Sequence, residues 1–447
     1  MKSKNYVLFL SITAALGGFL FGFDTAVISG AERDIQALWN LDDLSHGLAV
    51  AIALYGTVIG ALLGGIPAEK YGRKSSLLGI GILYLVSAVG SALAEDVNSF
   101  MVFRFLGGLG VGASSVVAPM YISEISPAGR RGQLVALYQF NIVFGILMAY
   151  FSNYLIGTLD LKESWRWMLG VEAFPALIYC FLISFVPQSP RWLIHKKHDF
   201  DAARAILTRT DPEGVDKTVQ LAIEESRLMG EKTSFSMLFS KKFKKITFMA
   251  VLIAFFNQVS GINAIIYFAP RIFESAGTTT ETALASAIGI GIINLISTMV
   301  GLYLIDRIGR KPLMYIGSVG YILSLSLMSY SYFGGAVDIS LLPWFIFGFI
   351  AAHAIGQGAV IWVFISEIFP NELRAVGQST GSFIHWILAA GIANVFPYLA
   401  GKFGTGIIFT FFTVMMILQL IWVALQMPET KGRTLEEIQR DLHSGKS

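Results

Sequence analysis

The sequence predicts an all-α membrane protein of twelve transmembrane helices in two six-helix repeats, and three observations predict it. Hydrophobic residues make up 54% of the 447 and charged residues only 14%, with a mean hydropathy of +0.63, where soluble domains carry about 25% charged residues. Twelve apolar stretches are each long enough to cross roughly 30 Å of hydrocarbon at about 1.5 Å per residue. The two halves repeat each other's polar loop motifs. A soluble enzyme, a disordered chain and a collagen do not fit this composition, and a disulfide scaffold is excluded because Cys180 is the single cysteine. A formal net charge of +3 is too small to suggest nucleic acid as a ligand.

Along the chain, apolar stretches fall near 6–30, 46–68, 75–94, 99–124, 133–156 and 167–186, then near 246–270, 281–305, 312–333, 342–369, 375–400 and 404–427. The first follows Lys2 and Lys4, as a secretory signal would. It outruns the roughly 7–15 apolar residues of a signal core and carries Asp24, so it reads as an uncleaved helix. The divisions expected are an N-terminal six-helix bundle over 1–186, a cytoplasmic linker over 187–245, a C-terminal bundle over 246–427 and a cytoplasmic tail over 428–447. Within the linker, Phe200–Leu207 and Val215–Met229 space their apolar residues at helical intervals, which predicts short amphipathic helices on a solvated spacer.

Basic residues gather on alternate loops: Lys70, Arg73 and Lys74; Arg130 and Arg131; Arg191, Lys196 and Lys197; Lys241 to Lys245; Arg307, Arg310 and Lys311. The positive-inside rule therefore places both termini and the linker in the cytoplasm of an inner-membrane protein. Ile122-Ser-Glu-Ile-Ser-Pro127 with Arg131 recurs as Ile365-Ser-Glu-Ile-Phe-Pro370 with Arg374, 243 residues on. Gly72-Arg-Lys74 recurs as Gly309-Arg-Lys311. Echoes of the same topological sense indicate parallel repeats, an organisation that favours a carrier with its site between the halves.

Ionisable groups inside apolar helices are the strongest functional signals, because each costs roughly 2.5 kcal/mol or more at the bilayer centre unless paired or wetted. Asp24 sits in the glycine-bearing run Gly17-Gly-Phe-Leu-Phe-Gly-Phe-Asp24 of the first helix, and Arg104 opens Arg104-Phe-Leu-Gly-Gly-Leu-Gly-Val-Gly112 in the fourth. The two can serve as a fixed ion pair or as a proton switch in which Asp24 titrates, since arginine does not. His353 and His385 are further titratable candidates. The Gly108-x-Gly-x-Gly112 pattern follows no strand, so it reads as helix packing rather than a phosphate cradle.

Neutral polar side chains supply a second signal. Asn257, Gln258, Asn263 and Tyr267 lie on the seventh helix, Asn294 on the eighth and Gln139 on the fifth. Amides donate and accept together, which suits the hydroxyls of an uncharged polyol; an anionic ligand would call for Arg or Lys. Trp362 and Trp386 offer flat apolar faces for a sugar ring. Packing and interhelical hydrogen bonds are the alternative use of such residues.

With these motifs assembled, the chain resembles the sugar porter family of the major facilitator superfamily, and most of all its bacterial proton-coupled monosaccharide symporters. The ordered set includes Pro119-Met-Tyr-Ile-Ser-Glu124, Pro187-Gln-Ser-Pro-Arg-Trp192, Asn257-Gln-Val-Ser-Gly-Ile-Asn263, Asp306-Arg-Ile-Gly-Arg-Lys311 and Pro428-Glu-Thr-Lys-Gly432. The resemblance implies that Gln139, Gln258, Asn263, Asn294 and Trp362 bind the sugar, with Asn257, Tyr267, His385 and Trp386 at matching positions, and that Asp24 carries the coupled proton beside Arg104. It implies that Arg73, Glu124, Arg131, Arg310, Glu367 and Arg374 form the charge network of an inner gate. Asn257, His385, Gln188 and the Glu69-Lys70 pair depart from the residues usual in that family.

The expected function is proton-coupled monosaccharide symport by alternating access, a hexose or pentose and glucose-like at first guess. The partners are a sugar, a proton as coupling ion and the bilayer, with no metal or other cofactor, no nucleic acid and function as a monomer. Alternatives are a facilitative sugar or inositol carrier without proton coupling, and a membrane sugar sensor. An integral membrane enzyme would need a nucleophile, metal cluster or cofactor loop that the sequence does not supply.

Overall fold

A computed structural model describes residues 3–159, 161–228, 235–334, 337–433 and 437. Among them are twelve helices long and apolar enough to cross a membrane. They are α1 Ser3–Leu38, α2 Asp43–Leu63, α3 Arg73–Leu93, α4 Val97–Ile125, α5 Arg131–Gly157 and α6 Ser164–Ser184, followed by α7 Lys244–Ser275, α8 Thr280–Ile308, α9 Arg310–Tyr332, α10 Ile339–Ile368, α11 Leu373–Phe403 and α12 Thr405–Leu425. The all-α fold expected from hydropathy is the fold observed, and each apolar stretch becomes a span, since a dehydrated backbone must close its own hydrogen bonds. The linker forms the helices Phe200–Thr210 and Val215–Leu228, with Met229 outside the described residues. These pack Ala203, Leu207, Val219 and Ala222 against Trp192, Leu193 and Ile194.

Local sequence sets the helix ends. Asp96 caps α4 by accepting from the backbone N–H groups of Asn98 and Ser99. Gly72 and Gly309 open α3 and α9 at φ values of 91° and 99°, so the same left-handed residue begins the same helix in each repeat. Three spans are broken. Helix α6 is interrupted at Val171 and Glu172, α7 at Ser260 and Gly261, and α10 at Gly356.

The chain divides into two compact units. The first comprises Met1–Val27, Ile52–Ala149 and Trp165–Lys232; the second comprises Ile28–Ala51, Tyr150–Ser164 and Thr233–Ser447. In the first, glycines set how closely helices approach. A Cβ on Gly108 or Gly112 would enter the carbonyls of Ala53 and Thr57 on α2, and one on Gly22 would enter the Ile142 carbonyl on α5. The glycines of α4 are thus a packing surface.

Candidate functional site

In the first unit, Asp24 and Arg104 meet inside the apolar bundle, 2% and 1% exposed. Arg104 Nη1 donates to Asp24 Oδ1 at 2.5 Å and Nη2 donates to the Asp24 backbone carbonyl at 3.1 Å. A charge-assisted bond in so dry a setting is far stronger than a surface ion pair, and losing either partner strands a buried charge. Gly107 lies beside the pair, where an added Cβ would collide with the Ser87 side chain on α3.

A third charged group, absent from the expectations drawn from sequence, stands beside them. Glu172, at the break in α6, is 1% exposed and lies within electrostatic reach of both Asp24 and Arg104. Its Oε1 has no partner. The site therefore gathers two acidic side chains around one guanidinium, one more negative group than the single cation can neutralise. The rule that singles out Asp24 and Arg104 also selects Glu172, an ionisable residue in the middle of the sixth apolar stretch.

Gln139 sits half-buried on α5 in this unit, next to Tyr138, whose hydroxyl donates to Ser114 Oγ at 3.3 Å. The other sugar-site candidates fall in the second unit. Gly261, at φ 86°, breaks α7 and turns its two segments so that Gln258 and Asn263 meet. Asn263 Nδ2 donates to Gln258 Oε1 at 2.6 Å, and Gln258 Nε2 donates to Asn257 Oδ1 at 2.8 Å while standing 3.2 Å from each ring nitrogen of His385. The His385 ring lies 5.0 Å from that of Trp362 and 4.7 Å from that of Trp386, centroid to centroid. Six candidates therefore form one continuous cluster of amides, an imidazole and two indoles. Trp362 is its most exposed member at 37%, a face open to a ligand.

The remaining candidates are placed as follows. Asn294 is buried on α8 with its Oδ1 accepting from Thr298 Oγ1 at 3.4 Å. Tyr267 is buried on the second segment of α7. His353 is engaged elsewhere, its Nδ1 2.5 Å from the Tyr321 hydroxyl.

The loop charges repeat residue for residue. In the first unit, Arg73 Nε and Nη2 donate to Glu124 at 3.0 and 2.9 Å, and Nη2 reaches Glu69 at 2.9 Å. In the second, Arg310 Nε and Nη2 donate to Glu367 at 2.9 and 2.7 Å, and Nη2 reaches Asp306 at 3.3 Å. Bidentate geometry of this kind fixes the arginine plane as well as its charge. Among the described residues, Arg131 and Arg374 join neither carboxylate.

Glu429 extends the second network. It accepts backbone N–H bonds from Arg310, Lys311, Thr430 and Lys431 at 2.8–3.0 Å, and Thr430 Oγ1 donates to Glu367 at 2.6 Å. Burial pushes the Glu429 carboxyl up, but the four N–H groups outweigh it and hold the group below its ordinary 4.5. At the matching place in the first unit, Gln188 Oε1 accepts a single bond, from Lys74 N at 3.2 Å.

Residues 10–442 match the family model described as sugar (and other) transporter. The arabinose-proton symporter of Bacillus subtilis (strain 168) is 36% identical over 443 residues, covering 98% of this chain and 95% of that protein. The D-xylose-proton symporter of Escherichia coli (strain K12) is 33% identical over 474 residues, covering 98% and 96%. Among solved structures, the inward open conformation of the xylose transporter XylE from E. coli is similar at a TM-score of 0.85 and 32% identity, covering 97% of this chain and 99% of that one. The proton:xylose symporter XylE bound to 6-bromo-6-deoxy-D-glucose is similar at a TM-score of 0.79 and 33% identity, covering 98% and 99%.

Proposed function

This chain belongs to the sugar (and other) transporter family, and from that premise we propose that it carries a monosaccharide together with a proton across the cytoplasmic membrane by alternating access. It is a multi-pass membrane transporter rather than an enzyme. The observation that carries the proton half of the reading is the Asp24–Arg104 pair with Glu172 against it. When Asp24 is ionised it holds the Arg104 guanidinium; a proton on the carboxyl removes that attraction and leaves Arg104 tied to α1 only through the Asp24 carbonyl, so α4 can shift relative to α1. Coupling follows if sugar occupancy and proton occupancy favour the same arrangement of these helices.

The sugar half rests on the cluster of Asn257, Gln258, Asn263, His385, Trp362 and Trp386, with Asn294, Tyr267 and Gln139 contributing in the bound state. Each amide offers a donor and an acceptor to a hydroxyl, and the indole faces take the C–H surface of the ring. In the absence of sugar the amides satisfy one another, so a sugar replaces internal bonds of equal kind and selectivity comes from geometry. Support comes from the relatives named arabinose-proton and D-xylose-proton symporters, each matched over nearly its whole length.

Both termini lie in the cytoplasm, 1–186 and 246–427 act as the two repeats, the Arg73–Glu124 and Arg310–Glu367 networks brace the cytoplasmic gate, and the protein works as a monomer with the proton as its only coupling species. The test is sugar addition to an unbuffered suspension of energy-starved cells expressing the protein. Alkalinisation of the medium in step with uptake supports symport; uptake without it supports a facilitator.

A further inference from the structure

On the face opposite the basic loops, the second unit holds a buried ionic cluster that neither the sugar site nor the Asp24 pair uses. Glu32 on α1 and His46 on α2 are both fully enclosed, with His46 Nε2 2.7 Å from Glu32 Oε2. Arg271 on α7 grips the same carboxylate in bidentate fashion, Nε to Oε1 at 2.9 Å and Nη2 to Oε2 at 2.7 Å. Its Nη2 also donates to Gln36 Oε1 at 2.6 Å, and Gln36 Nε2 reaches Asp43 Oδ1 at 3.4 Å.

The 2.7 Å approach of Nε2 to Glu32 is not aligned as a hydrogen bond, and His46 Nδ1 is buried without a partner. Phe268 of α7 sets its ring edge to face against the imidazole at 6.0 Å, and Gly47 packs against the Asn394 carbonyl of α11 with no room for a Cβ. Arg33 and Glu274 form a separate neutral pair nearby in sequence on the same helices. The charged groups that face His46 are therefore Glu32 and Arg271 directly, and Asp43 through the Gln36 amide.

We propose that His46 is a second proton-binding site, distinct from Asp24, and that a proton taken up there from the outer solution closes a latch joining the ends of α1, α2 and α7. With His46 neutral, Glu32 and Arg271 balance each other, and the imidazole adds no charge to the contact. With His46 protonated, the 2.7 Å contact becomes an ion pair, and Asp43 supplies the second negative charge for the second cation. The contact exists only while the three helix ends are packed together. When they part, water reaches Glu32 and the added ion pair loses most of its value. Linkage then gives the sign: acid favours the packed latch, and the latch loosens as pH rises and the imidazole gives up its proton. The outer location of this site rests on the orientation proposed above; the geometry of the site does not.

The test needs no transport assay, so its failure is distinct from failure of the symport reading. Histidine C2-hydrogen exchange followed by mass spectrometry on the purified full-length protein reads the titration of His46 itself, with His353 and His385 as internal references. Amide exchange over 28–51 and 262–275, corrected for the intrinsic rate, reads the latch. Between about pH 8 and about pH 5.5, protection of both segments is expected to rise about tenfold. His46→Gln should abolish that pH dependence while leaving protection of α3 and α12 unchanged. Glu32→Gln should abolish it too and lower protection at both pH values. A wild-type His46 that does not titrate between about pH 5 and about pH 8, or a pH-dependent protection that survives in His46→Gln, overturns the proposal. The wild-type titration decides the matter even if a variant fails to fold.

Discussion

Arg104 holds Asp24 at two points, its carboxylate at 2.5 Å and its own backbone carbonyl at 3.1 Å, so the guanidinium is fixed to the helix as well as to the charge it neutralises. In the proposed mechanism, protonation of the carboxyl surrenders the first bond and leaves the second in place. That arrangement suits a switch that must reset on every cycle. A pair serving only to fix helix register would gain nothing from the neighbouring Glu172.

Removal of the cation tests that description. Arg104→Leu leaves two buried carboxyl groups with no counter-charge, and the expected loss is about 3–5 kcal/mol of stability. Adding Glu172→Gln to Arg104→Leu should restore part of it, because one of the stranded groups becomes neutral. Thermal unfolding of the three variants in one detergent checks the order wild type, double variant, single variant.

The sugar cluster predicts graded effects. Gln258→Ala and Asn263→Ala each remove one donor and acceptor, at about 0.5–1.5 kcal/mol net, or roughly 2- to 12-fold in sugar affinity. Trp362→Leu removes the exposed indole face and should weaken binding of every sugar tested. His385→Gln exchanges an imidazole for an amide in contact with Gln258, so it should change the ratio of affinities between epimers more than their mean. Binding measured across a panel of aldohexoses and aldopentoses separates the three patterns.

Much of this is legible in the sequence, and what is not has a physical reason. Hydropathy determines spans because the bilayer leaves a helix no other partner for its backbone, and the two glycine-arginine-lysine echoes reappear as matching helix starts at Gly72 and Gly309. Asp24 and Arg104 announce themselves by charge in apolar surroundings. Glu172 carries the same signal but stands at a break in α6 that hydropathy does not register. Glu32 and His46 lie at the ends of apolar stretches, where a polar residue reads as a loop, and only the packing of α7 shows them enclosed. Repeat symmetry alone pairs Arg131 and Arg374 with the gate carboxylates; spacing along a loop does not fix the direction of a long side chain.

Glu429 predicts an acid sensitivity confined to one network. Its carboxyl is held below the ordinary value, so the folded state favours the ionised form: the stabilisation is complete above about pH 4.5 and is lost as pH falls through the depressed folded-state value. Glu429→Gln should lower stability at neutral pH and remove that acid-dependent component. Gln188→Glu in the first unit, where Gly72 presents the same turn, should do the converse, raising stability at neutral pH and adding an acid-sensitive component. Unfolding temperatures at neutral pH and at pH values below about 4.5 report both.

The break in α7 is a further point of sensitivity. Gly261 adopts φ 86°, and a Cβ there would press into the Phe412 ring. Gly261→Ala therefore combines a left-handed backbone cost of about 1–2 kcal/mol with displacement of a buried aromatic ring. It is expected to lower the unfolding temperature and to weaken sugar binding together, because the same turn brings Gln258 to Asn263.

The central claim is that Asp24 couples the proton to the sugar, and uptake into liposomes against an imposed pH gradient tests it most directly. The wild-type protein should accumulate sugar above the external concentration when the outside is acid, and Asp24→Asn should exchange sugar across the membrane yet accumulate none. Accumulation by Asp24→Asn equal to that of the wild type would contradict the account.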